Sequence, residues 1–89
     1  MGTSQRSFDF AAVHKHCMHN KSEVLASREC GCFFCGVIFK PAVIVEWVDD
    51  DDPPSALCPN CGIDSVIGDA AGFAITSELL HKMNVHWFS

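Results

Sequence analysis

Hydrophobic and polar positions change their period several times along this chain, and each change marks an element. Near the start, Phe8, Ala11 and Ala12, then Cys17 and Met18, share one side of a helix that Ser7 can cap and whose first turn holds Asp9. Asn20 or Ser22 opens a second short helix through Glu23-Val24-Leu25-Ala26. Phe33, Phe34, Val37, Ile38 and Phe39 then form an apolar run, which reads as core. The segment 41–48 points two ways. Its β-branched residues favour a strand, while Pro41 suits the first position of a helix and Ile44, Trp47 and Val48 share a helical face. Helix is the preferred reading.

Asp49-Asp50-Asp51-Asp52-Pro53-Pro54 must turn in solvent, because adjacent carboxylates repel and the prolines stop regular structure. A calcium loop would alternate its ligands and include a glycine, and this run does neither. Ile63-Asp64-Ser65-Val66-Ile67 reads as a strand paired with the approach through Ala56-Leu57. Gly68-Asp69-Ala70-Ala71-Gly72 is a loop without the lysine of a phosphate-binding motif. Thr76 then caps a final helix whose apolar side carries Leu79, Leu80, Met83 and Trp87, with Phe88 close behind. The chain therefore reads as one small α+β domain, 1–89. Residues 1–29 form a helical segment, 30–67 a central module, and 68–89 a loop and helix.

Set into this pattern are two C-x-x-C-G units, Cys32-Phe33-Phe34-Cys35-Gly36 and Cys58-Pro59-Asn60-Cys61-Gly62, with 22 residues between Cys35 and Cys58. A C-x-x-C turn lets two thiolates converge on one ion, and the following glycine can take positive φ so that backbone N–H groups curl towards sulfur. Two such units predict a single structural Zn²⁺ held by Cys32, Cys35, Cys58 and Cys61, at the bend of a hairpin. A domain of this size has a small core, and a structural zinc contributes about 10–16 kcal/mol at neutral pH.

Other residues offer weaker alternatives. Cys30 competes with Cys32 through C-x-C, but the repeated unit makes it a buried thiol instead. His14, His16, Cys17 and His19, with Cys30 as a further candidate, suggest a second metal site, yet no four-ligand spacing emerges and ordinary surface histidines are the simpler reading.

Charge narrows the choice of partner. The net charge is −5, with four bases against three acids in residues 1–29 and two against eight in residues 30–89. Four thiolates and Zn²⁺ add two further negative charges to the acidic part. Nucleic acid is therefore a poor partner. The first residues hold no signal-like apolar run and no stretch is long enough to span a membrane, so the expectation is a reduced, cytoplasmic protein.

The quoted knuckles also carry a resemblance. Cys30-Gly31-Cys32-Phe33-Phe34-Cys35, Glu46-Trp47, the run from Ala56 to Gly68 (ALCPNCGIDSVIG) and the closing Trp87-Phe88 resemble a group of small bacterial proteins known only as "cytoplasmic proteins". The match spans roughly two-thirds of the chain, and its Asp run is longer than the group's acidic turn. The resemblance implies bacterial origin and a zinc-ribbon or treble-clef-like module flanked by N-terminal and C-terminal helices. It implies no catalytic residues.

A closed four-thiolate site leaves no coordination position for chemistry, which favours a protein-binding module over an enzyme. The enzymatic alternative is metal-assisted hydrolysis with Asp64, Ser65, Asp69, His81 and His86 in one pocket. His81, Asn84 and His86 also invite a His-Asn-His nuclease, but their spacing is wrong. Nucleic-acid binding rests on zinc-ribbon analogy alone. Redox or zinc sensing would use Cys17 and Cys30 as spare thiols.

Overall fold

The computed structural model describes residues 10–48 and 53–88. The expected cap Ser7, with Phe8 and Asp9, and the run Asp49–Asp52 lie outside the described residues. Helix α1 (Phe10–His14) continues into a 3₁₀ turn (Lys15–Cys17), and α2 (Lys21–Leu25) follows. Strands β1 (Cys30–Cys32) and β2 (Ile38–Phe39) flank the first knuckle, and β3 (Trp47–Val48) and β4 (Ser55–Ala56) precede the second. Strand β5 (Val66–Gly68) and a 3₁₀ turn (Asp69–Ala71) lead to α3 (Ser77–Phe88). The result is a small α+β fold with antiparallel sheets.

Strand β1 is central in the order β2-β1-β5, with Cys30 opposite Phe39 on one side and Gly68 on the other. Side chains alternate across a strand, so this short sheet has two unlike faces. Cys30, Cys32 and Val66 enter one buried cluster with Val24, Ala56 and Cys58. Ile67 enters another with Val13, Phe33, Leu80 and Met83. Gly31 lies between Cys30 and Cys32 and turns to the second face. A Cβ there would sit 2.8 Å from both Ile75 Cγ2 and Leu80 Cδ1, so α3 can approach this closely only over glycine.

Thr76 caps α3 as expected: its hydroxyl accepts the Leu79 N–H at 3.1 Å, and Leu79, Leu80 and Met83 are buried. Trp87 and Phe88 lie at the helix's exposed end, each with a substantial part of its surface in water.

Several expectations are corrected. The α1 segment buries Val13 and Cys17, whereas Ala11 and Met18 are exposed, because Met18 leaves the 3₁₀ turn in extended conformation. Of the apolar run, Phe33 is fully buried while Phe34 and Ile38 are exposed: the knuckle turns the chain outward after Phe33, and the strand then alternates Val37, Ile38 and Phe39. Segment 41–48 is not one helix. It begins as a 3₁₀ turn (Pro41–Val43) and ends as β3, so proline and the β-branched residues each decide their own half. The strands beside the second knuckle do not pair with each other: β4 pairs with β3, and β5 pairs with β1. Hydrogen bonding across the whole chain, which local patterning does not contain, sets that pairing.

One polar side chain ties the parts together. Asn20 precedes α2 as expected but makes no capping bond. Instead its amide nitrogen donates to Val66 O at 2.8 Å and His16 O at 2.9 Å, and its oxygen accepts the Ala56 N–H at 3.0 Å. Strands β4 and β5, from different sheets, are thereby joined through a side chain that is itself buried.

Candidate metal centre

The two knuckles repeat one backbone design. Cys32 N–H donates to Val37 O at 3.0 Å and Gly36 N–H to Cys32 O at 2.8 Å; Cys58 N–H donates to Ile63 O and Gly62 N–H to Cys58 O, both at 2.9 Å. Gly36 and Gly62 adopt φ of 83° and 80°, which a residue with a Cβ rarely tolerates. This turn aims N–H groups at sulfur. Asn60 and Cys61 N–H lie 3.3 and 3.4 Å from Cys58 Sγ. In the first knuckle the matching N–H groups of Phe34 and Cys35 face Cys32. The Val37 N–H faces Cys35, and the Ile63 N–H faces Cys61.

These turns converge. Cys32 Sγ lies 3.7 Å from Cys61 Sγ, and Cys35 Sγ lies 3.7 Å from Cys58 Sγ, so each short pair spans the two knuckles. All four sulfurs fall within 4.8 Å of one another, and all six cysteines are free thiols. A tetrahedral ion with metal–sulfur bonds of about 2.3 Å places its sulfurs about 3.8 Å apart, so the donors fit a four-thiolate metal site. Tetrahedral sulfur donors suit zinc or iron.

The electrostatics agree with a site designed to lose protons to a metal. Burial holds the Cys32 thiol well above its ordinary range, despite the N–H groups of Cys35 and Phe34, and burial also raises Cys61. Burial pushes Cys35 up as well, but hydrogen bonds from the Asn60 side chain, the Val37 N–H and the Cys58 and Cys32 thiols outweigh it and bring it to about 7. A bound cation would supply the charge that lets the buried Cys32 and Cys61 thiols ionise.

Cys30 and Cys17 behave differently. Burial, with the Asp69 and Glu29 carboxylates, pushes Cys30 up to about 12; burial and Asp64 push Cys17 up to about 11. Cys30 faces Val24 O at 3.9 Å, and Cys17 belongs to the helical core. Both are neutral packing groups.

The other candidates separate. His14 packs on Trp87 with ring centroids 4.3 Å apart, His16 Nδ1 pairs with Glu23 at 3.0 Å, and His19 Nδ1 meets Pro53 O at 3.0 Å. Among the described residues they form no metal cluster with Cys17 or Cys30. Asp69 accepts the Arg28 N–H at 2.9 Å, and Asp64 is exposed. His81 and His86 line a cleft with Phe10, Lys82 and Val85, whose walls include neither aspartate. The hydrolase constellation is not assembled.

Asn60 is the site residue that sequence reasoning missed. Its side-chain nitrogen lies 3.5 Å from Cys35 Sγ, linking the second knuckle to the first. The only signal was its place inside C-x-x-C, where Phe34 is its counterpart. No family model, curated protein or solved structure matches this chain.

Proposed function

We propose that the chain is a structural zinc module that acts by binding another protein in the bacterial cytoplasm, and that its knuckles belong to the zinc-ribbon or treble-clef-like class. The observation that carries this reading is the closed donor set: four protein thiols converge, and backbone N–H groups serve the sulfurs from behind. Zinc with four thiolates has no position for water or substrate, so it organises the fold instead of performing chemistry. Zinc is preferred to iron because a staple requires no redox activity.

The partner reading rests on aromatic side chains that remain partly in water. Phe34, Trp87 and Phe88 are 44%, 39% and 45% exposed, and Phe34 meets Phe88 edge-on with centroids 4.9 Å apart. Large aromatics held rigidly at a surface are the usual anchors of protein interfaces. The deficit of bases in residues 30–89 argues against nucleic acid. Among the described residues no helix is long and apolar enough to cross a membrane.

Elemental analysis of the purified protein tests the first half, with one zinc per chain expected. One iron per chain, with visible absorption from sulfur-to-iron charge transfer, would overturn the zinc assignment. A mobility-shift titration showing tight, salt-sensitive nucleic-acid binding would overturn the partner class.

A further inference from the structure

The four ligands are unequally protected. Cys32 is fully buried and Cys58 nearly so, Cys61 is half-buried, and Cys35 is exposed. The exposure of Cys35 has a defined shape: a cleft of about 340 Å³ runs between the first knuckle and α3. Phe34, Cys35 and Gly36 form one wall, and Ser77, His81 and Asn84 form the other. Asn84 Nδ2 donates to Phe34 O at 2.9 Å, which fixes the two walls relative to each other. A small polar molecule can therefore reach the Cys35 sulfur while Cys32 and Cys58 stay buried. Across the site, 3.7 Å away, lies Cys58.

We infer that Cys35 is an oxidation site, attacked by a small hydroperoxide through this cleft, and that its disulfide with Cys58 releases the metal. The inference rests on the zinc reading above. The Cys35 thiolate attacks the terminal peroxide oxygen, the O–O bond breaks, and hydroxide or alkoxide leaves, giving the sulfenic acid. The Cys58 thiolate then attacks the Cys35 sulfur, forming the S–S bond and expelling hydroxide. Two electrons pass from the sulfur pair to the peroxide, and Cys35 and Cys58, joined as a disulfide, would no longer be able to hold a metal ion as thiolates. Cys58 is the resolving thiol because its sulfur stands 3.7 Å from Cys35 on the other knuckle; the Cys32 thiol also faces Cys35, but its 3.7 Å neighbour is Cys61. Cys17 and Cys30, the spare thiols of the sequence, are buried in packing clusters and take no part.

The test uses the full zinc-loaded chain, with metal content measured before hydrogen peroxide is added. Thiols are trapped over time and mapped by peptide mass, while a chromophoric chelator follows zinc. The Cys35–Cys58 disulfide is expected first, forming at the rate of zinc release. His81→Trp narrows the cleft from the exposed side of α3 without touching a ligand. It should slow loss of the Cys35 thiol by about fivefold or more at unchanged zinc content, since thiol oxidation follows access. First oxidation at Cys32–Cys61, at Cys17 or at Cys30 overturns the inference alone, as does an unchanged rate in His81→Trp. A protein without zinc before peroxide is added overturns the zinc reading and the inference together.

Discussion

The two faces of the β2-β1-β5 sheet are closed by different means. On one, Cys30, Cys32 and Val66 meet Val24, Ile44, Ala56 and Cys58, with Val37, Phe39, Trp47 and Cys61 only partly buried against them. On the other, Phe33 and Ile67 meet Leu79, Leu80 and Met83 of α3. Large aliphatic and aromatic side chains contribute about 1.5–3 kcal/mol each when fully buried. The first face has few of these, and its neighbouring strands β3 and β4 are only two residues long. There a structural zinc, if bound as proposed, would contribute about 10–16 kcal/mol in place of the missing hydrocarbon. Because alternate residues of β1 serve both faces, the hydrocarbon side would then depend on a sheet that the bound ion holds in place.

The largest effect should come from breaking the metal face. Cys58→Ser is expected to lose the ion and the cooperative melt together, as read by metal analysis and thermal denaturation. A variant that melts like the parent without metal would remove the distinction between the faces. Acid should attack the same face more gradually. Cys32 and Cys61 are held above their ordinary values, so both are protonated in the metal-free site at neutral pH and must release protons on binding. Protons compete with the ion, so affinity falls as pH falls, by about a hundredfold or more per unit near neutrality if these two thiols titrate. Competition with a metal indicator across pH measures the slope. A slope of one proton or fewer would contradict the burial of these thiols.

Leu80→Ala probes the hydrocarbon face. Leu80 is 1% exposed, and its removal should cost about 2–5 kcal/mol while one zinc per chain remains. Loss of zinc in this variant would show that the dependence runs in both directions. Asn20→Ala should cost less, about 1–3 kcal/mol, because the Ala56 N–H and Val66 carbonyl lose a buried partner. Phe88→Ala is expected to be mildest, below about 1 kcal/mol, because Phe88 touches Phe33 and Phe34 but is 45% exposed. If that variant melts as the parent does and loses association with a partner, Phe88 is an anchor; a large drop in melting temperature would make it core.

The metal face was the more legible in the sequence. A C-x-x-C-G unit encodes its turn locally, so the converging cysteines and the positive-φ glycines could be read directly, and the structure repeats the turn in both places. The cap and apolar side of α3 were local too. Pairing was not. Nothing near Val66 says that its partner is Cys32 and not the approach to its own knuckle. Asn20 looked like a helix cap because capping is the commonest local use of asparagine, while two of its three actual partners stand 36 and 46 residues away. The knuckle turn that exposes Phe34, and the strand alternation that exposes Ile38, were hidden within an apolar run.

The dependence of one face on the other is tested most directly by chelation followed through the assigned amide spectrum. Removing the ion should collapse the dispersed signals of Cys30–Cys32 and Val66–Gly68, and with them those of Phe33, Ile67 and Leu80, in one step. If Phe33, Ile67 and Leu80 keep their dispersed signals after the metal has gone, the hydrocarbon face stands alone and the ion does not hold the sheet.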